Sequence, residues 1–138
     1  MVPENDSNRT AVAERNWPAD VVEVLAQLDA SFPKMHDRRV LPRWVFHAEA
    51  FLTIEHAERH QLWTRDINAW NVGFLSRQAL TTGSHGTFRF EVPGGEIVVV
   101  AGQVKRCREF IPGWFEGYIN FVQTIPEQAL EKTRPWPA

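Results

Sequence analysis

The chain has 138 residues, 43% of them hydrophobic and 23% charged, with a formal net charge of −2 and a pI near 6.2. That length and apolar content suffice for one domain with a packed core, and the slightly acidic balance excludes a general DNA or RNA binder, whose basic face would move the net charge. Cys107 is the single cysteine, so neither an intrachain disulfide nor a thiolate metal cage can form, which fits a reducing compartment.

Residues 1–16 are polar and lack the apolar stretch of a signal peptide, and are expected to be a flexible tail. From Pro18 the residues Val21, Val24, Leu25, Leu28 and Phe32 recur at helical spacing with Asp20 in the first turn, predicting an amphipathic helix broken by Ser31-Phe32-Pro33. A loop through Lys34 to Asp37 then delivers the chain to Arg38-Arg39-Val40-Leu41-Pro42-Arg43. Val45 to Leu52 reads as a first strand, Glu55 to His60 as a polar turn, Leu62 to Ile67 as a second strand, and Gly73-Phe74-Leu75 as the start of a third. The turn formers Thr82 to Gly86 precede a strand over Thr87 to Val92, and Pro93-Gly94-Gly95 predicts a hairpin because its glycines accept positive φ. Its partner strand is long, Glu96 to Phe110, with Gly102 marking a bulge or bend. Ile111-Pro112-Gly113 turns the chain into a last strand over Trp114 to Gln123, and the capping-box spacing of Thr124 and Glu127 predicts a short helix over 127–132. About six strands joined by short turns point to a mainly β fold, a six-stranded antiparallel barrel with an N-terminal amphipathic helix and a short C-terminal helix. The expected division is a tail and helix over 1–33, the barrel over 34–123 and a terminal helix and tail over 124–138. The apolar run Ile97 to Ala101 is far too short to cross a bilayer, so a soluble cytoplasmic protein without membrane insertion is expected.

Two clusters carry chemistry. Arg39 and Arg43 offer planar forks that grip phosphate in bidentate fashion or stack on a purine, and Pro42 stiffens the backbone between them. Asp66 can accept the paired donors on the Watson–Crick edge of guanine, while Asn68 and Asn71 can each donate and accept. Guanidinium groups on one side and a carboxylate with two amides on the other suit a ligand bearing both phosphates and guanine bases. Only Lys34, Lys105 and Lys132 are lysines and the other twelve basic residues are arginines, a bias that genome composition also produces. The competing reading is that the arginines are solvated surface charges and that Asp66 and Asn68 merely cap a turn. Trp70 suits a stacking surface as well as a core or lid position.

These residues resemble a PilZ domain, a family of small six-stranded barrels of split-barrel type that bind the bacterial second messenger cyclic di-GMP. The first family signature, Arg-x-x-x-Arg leading into the barrel, matches Arg39 and Arg43, with Arg38 adding the doubled arginine often seen there. The second, Asp or Asn-x-Ser-x-x-Gly followed by an apolar-Gly-apolar stretch, aligns with Asp66, Asn68, Asn71 and Val72-Gly73-Phe74-Leu75. Val104 to Arg108 and Tyr118 to Phe121 are similar to the family's later strands, so the likeness covers roughly residues 38 to 123. The chain departs from the pattern by having Asn68 in place of Ser, Asn71 in place of Gly, and bulky Trp70 where a small residue is usual. Asn tolerates left-handed geometry best among non-glycine residues, so Asn71 is expected to preserve the turn. The resemblance implies that Arg38, Arg39 and Arg43 hold guanine faces and phosphates, that Asp66 and Asn68 meet a base or its neighbours, and that ordering of the arginine segment transmits the signal to an effector protein.

The rival reading is a degenerate barrel that binds no nucleotide and serves as a protein-interaction adaptor, which the altered Ser and Gly positions favour. The intact arginines and Asp66 favour the receptor. His56 and His60, four residues apart, raise a metal site, but no third ligand follows at a suitable spacing. No recognisable nucleophile motif is present, so neither catalysis nor a cofactor is expected. The apolar stripe of the N-terminal helix fits docking on the barrel, homodimerisation or presentation to a partner equally well.

Overall fold

Strict alternation builds the middle of the chain. In the computed structural model, which describes residues 17–31, 43–54 and 58–134, Phe88 and Phe90 point inward from one strand while Thr87, Arg89 and Glu91 face out, and the next strand buries Val98, Val100 and Val104 between exposed neighbours. The elements are α1 (Ala19–Ser31), β1 (Trp44–Val45), β2 (Glu49–Ile54), β3 (Glu58–Ile67), β4 (Asn71–Ser76), β5 (His85–Glu91), β6 (Ile97–Ile111), β7 (Trp114–Phe121) and α2 (Glu127–Thr133). All pairings are antiparallel in the order β1-β3-β2-β5-β6-β7-β4, and β4 also pairs with β3, which closes the sheet into a barrel. Both β1 and β2 lie against β3, so they form one interrupted strand, and six strands complete the ring. Closure leaves no long unpaired edge.

The interruption differs from the continuous strand expected over Val45 to Leu52. Thr64 heals it: its hydroxyl donates to the Phe46 carbonyl at 2.5 Å and accepts from Ala48 N–H at 2.7 Å, while Phe46 N–H donates to the Arg65 carbonyl and Thr64 N–H to the Ala48 carbonyl, so the backbone groups of the break find partners. Of the turn expected over Glu55 to His60, Glu58, Arg59 and His60 belong instead to β3, and residues 55–57 lie outside the described residues. The hairpin at Pro93-Gly94-Gly95 forms as expected, with φ of 106° at Gly94 and 97° at Gly95. Gly102 is no bulge. It faces the interior, where a Cβ would stand 2.7 Å from Ile119 Cγ2, and the irregularities of β6 fall instead between Val104 and Arg106 and between Glu109 and Ile111.

The barrel interior is filled by Leu52, Leu62, Ile67, Val72, Phe74, Phe88, Phe90 and Ile119, each at most 2% exposed. Ile125, Ala129 and Leu130 carry the start of α2 into that core, and Trp44 Nε1 donates to Thr133 Oγ1 at 3.0 Å. The expected Thr124 capping box does not form: Pro126 occupies the N-cap position with no side-chain cap. A second apolar cluster lies outside the barrel, where Val21, Val24, Leu25 and Leu28 of α1 pack with Trp17 against Trp63 and Leu75. Docking on the barrel is therefore where the stripe goes. Polar contacts fix the helix: Asp29 meets Arg65 at 2.6 Å and His47 at 3.7 Å, and Asp20 accepts from Arg77, whose guanidinium lies 5.5 Å from the Trp63 ring and 5.1 Å from the Trp114 ring. No helix among the described residues is long and apolar enough to cross a membrane.

Candidate functional site

The site grows from one register row on the outer face of the barrel. Asp66 pairs with Gly73, Gly73 with Tyr118, and Tyr118 with Arg106, so four residues from β3, β4, β7 and β6 stand side by side. Two bulges set the row. One extra residue, Arg65, sits between Thr64 and Asp66, and another, Lys105, sits between Val104 and Arg106. A bulge re-aims the side chains that follow it, and here each one precedes a charged member of the row.

Gly73 leaves the space that the row needs. A Cβ there would collide with Asp66 Oδ1 and stand 3.8 Å from Arg43 Nη1, so the missing side chain lets a carboxylate and a guanidinium lie over the strand. Arg43 reaches that place because β1, which it immediately precedes, pairs with the end of β3: Val45 opposes Asp66. Its Nε lies 3.3 Å from Asp66 Oδ1, its Nη1 donates to Asn71 Oδ1 at 3.2 Å, and its guanidinium carbon is 5.6 Å from the Tyr118 ring centre. Arg43 is 8% exposed and Asp66 3%, so this is a buried ion pair, which is costly to break because either charge left alone keeps its desolvation penalty. Arg106 approaches Tyr118 at 5.4 Å.

Arg43, Asn71, Arg106, Tyr118 and Asn120 line an open pocket of about 400 Å³, within the size range of small-molecule sites. Glu116 supplies the counter-charge on its far side. Buried on β7, it accepts from Arg106 at 3.0 Å and from Arg108 at 2.5 Å, so one carboxylate is shared by two guanidinium groups. Asn120 Oδ1 is buried without a hydrogen-bond partner among the described residues, a condition that costs about 1–3 kcal/mol for a polar group.

Of the residues expected to bind, Arg43, Asp66 and Asn71 come together here, while Arg38 and Arg39 lie outside the described residues. Asn68 does the turn's work instead: its Oδ1 accepts the backbone N–H groups of Trp70 at 2.8 Å and Asn71 at 2.9 Å, and its own N–H donates to the Asn71 carbonyl at 3.0 Å. This is an Asx turn; the backbone of Asn71 closes it, while its side chain, at the start of β4 opposite Asn120, turns to Arg43. Trp70, 49% exposed, is not a core residue. Arg106, Tyr118 and Asn120 were missed. Alternation along β7 puts Tyr118 and Asn120 opposite buried Ile119, but nothing in the sequence announces the bulge that brings Arg106 to them.

His60 sits on β3 with Gln78 at 2.8 Å from Nδ1 and Glu58 at 3.3 Å from Nε2, His56 lies outside the described residues, and no group of three metal-ligating side chains gathers among the described ones. Burial pushes the Cys107 thiol above its ordinary pKa, with Leu80 N–H donating to Sγ at 3.3 Å, so the thiolate a nucleophile needs is disfavoured.

Comparison with solved structures places this barrel among PilZ-like folds. The PilZ domain of YcgR from Escherichia coli, solved with c-di-GMP, superposes with a TM-score of 0.57 at 15% identity over 70% of this chain and 88% of that one. The inhibitor of motility MotI/DgrA of Bacillus subtilis superposes with a TM-score of 0.55 at 12% identity over 70% of this chain, which spans about half, 48%, of that protein. No family model matches the sequence, and no curated protein matches it. The fold is PilZ-like, and the likeness lies in the backbone.

Proposed function

We propose that this domain is a receptor for cyclic di-GMP, a binding module rather than an enzyme, and that it signals to an effector protein. The observation that carries the reading is the row Asp66–Gly73–Tyr118–Arg106 with Arg43 laid across it, which sets two guanidinium groups and an aromatic ring around a pocket of about 400 Å³, with the Asp66 carboxylate behind Arg43. Guanidinium groups suit phosphate and purine alike, and the carboxylate suits guanine donors. A PilZ-like barrel that was solved with this same nucleotide supports it. In this reading Arg38 and Arg39 complete the grip begun by Arg43, and the ordered segment presents the signal.

Calorimetric titration of cyclic di-GMP into the full chain tests the proposal, with the Arg39→Ala/Arg43→Ala double variant as control. Saturable heat that disappears in the double variant is the expected result. No heat with ligand well above micromolar concentrations would sink the receptor and leave the nucleotide-free adaptor in its place.

A further inference from the structure

The three positions at which the chain departs from the PilZ pattern, Asn68, Trp70 and Asn71, are parts of one structure. Asn68 Oδ1 accepts the backbone N–H groups of both Trp70 and Asn71, the Trp70 carbonyl accepts from Phe121 N–H at 2.7 Å, and the neighbouring Ala69 carbonyl accepts from Ile125 N–H at 3.3 Å. The backbone under Trp70 is thus held from the end of β7 and from the approach to α2 as well as by its own turn. Its side chain nevertheless stays out of the core: Trp70 is 49% exposed, and among the described residues it is the one exposed aromatic. An indole left in water forgoes a large gain from burial, and a ring carried on a fixed backbone costs a ligand little ordering when the two meet.

The ring's place in the fold gives it a use. Trp70 precedes Asn71 in the chain and bonds through its carbonyl to Phe121, which follows Asn120, so it borders the two amide residues of the pocket wall. The aromatic ring within the pocket is already engaged, since the guanidinium groups of Arg43 and Arg106 stand 5.6 Å and 5.4 Å from the Tyr118 centre. A ligand with two purines therefore meets cations and amides inside the pocket and an open aromatic face at its border.

Resting on the receptor reading above, we propose that Trp70 is a stacking platform beside the nucleotide pocket, on which one purine of the ligand lies while a phosphate faces the arginines. Stacking on an indole accepts any base, so the platform adds affinity and positions the purine without choosing its identity. The Asx turn of Asn68 is the device that makes it, because it fixes the tryptophan's backbone next to Asn71. Tryptophan in place of a small residue here adds a surface to the site.

The test is a titration of cyclic di-GMP into the full chain and its Trp70→Ala and Trp70→Phe variants, followed by calorimetry and by tryptophan fluorescence, with thermal melting of each and exposed Ile97→Ala as a surface control. Because the side chain lies outside the core, Trp70→Ala should melt near the wild type. It should lose at least about fivefold in affinity, the lower end of what a base stacked on an aromatic ring contributes, while Ile97→Ala should lose nothing. Trp70→Phe keeps a smaller ring and should fall between the two. Cyclic di-GMP should quench the wild-type fluorescence, and much of that quench should be missing from Trp70→Phe at concentrations where calorimetry shows its site filled. A folded Trp70→Ala that loses less than this, or a Trp70→Phe that keeps the full quench, would mean that no base stacks there: the platform is wrong and the receptor stands. If the wild type binds no cyclic di-GMP, the receptor reading itself falls and takes the platform with it.

Discussion

Two glycines of the sheet stand in the same neighbourhood and guard different things. A Cβ on Gly73 would meet the end of the Asp66 side chain, whereas one on Gly117 would meet the Arg106 carbonyl oxygen, with the carbonyl carbon at 2.6 Å and Cys107 Cα at 3.0 Å. Backbone cannot yield as a carboxylate can. Gly117→Ala should therefore cost about 1–3 kcal/mol or more through overpacking, seen as a lower melting temperature. Gly73→Ala should melt closer to the wild type yet lose at least about tenfold in cyclic di-GMP affinity, because the displaced Asp66 releases Arg43. A Gly73→Ala protein that binds normally would show that the row is not the site. At this scale the sequence disclosed residues whose chemistry is local. Arg43, Asp66 and Asn71 could be picked out by type and spacing, but the turn of the Asn71 side chain toward Arg43 depends on where β4 begins, which spacing does not determine.

Elements were legible where alternation met a clear turn signal, as in β5, the Pro93-Gly94-Gly95 reversal and β6, and less so where strands break or bulge for reasons supplied by a partner. Thr64 is such a partner, since its hydroxyl makes the gap between β1 and β2 tolerable. The docking of α1 is another case, because an apolar stripe does not say which surface covers it. Its polar anchor is pH-sensitive. Burial acts to raise the pKa of Asp29, but the attraction of nearby His47 and of Arg65, which donates a hydrogen bond, outweighs it, and the carboxyl lies below its ordinary 3.8. Docking thus favours the carboxylate: the stabilisation is fully present above pH 3.8 and is lost as the pH falls through the lower folded value. Near-ultraviolet circular dichroism, which reports Trp17, Trp63 and Trp114 at this contact, should weaken on acidification from about pH 6 to about pH 3. Asn at position 29 should give a weaker signal at the start and a flatter acid response. Identical titrations for Asp29→Asn and wild type would mean that the anchor does not hold the helix.

At the scale of the molecule, the described residues form two apolar clusters, a barrel interior and a smaller one beneath α1, and among them the second draws only Trp63 and Leu75 from the buried barrel residues. Regions with their own small core open at lower free energy than the main one. Native-state hydrogen exchange should show the amides of α1 exchanging through a local opening while those of β4 and β7 require global unfolding. Leu28→Ala, which empties a fully buried position, should lower α1 protection by about 2–5 kcal/mol with little change in β7; equal losses in both would mean that helix and barrel unfold as one. That a barrel would form was legible because closure answers the edges that six short strands leave behind. How its two faces relate was not, since that depends on the β3 bulge, where Arg65 reaches the helix and Asp66 reaches Arg43 of the pocket wall. The two residues are consecutive, so a single rigid peptide plane, about 3.8 Å from Cα to Cα, is the whole distance between the contact that anchors the helix and the ion pair that holds Arg43. A displacement at either one reaches the other with no residue in between.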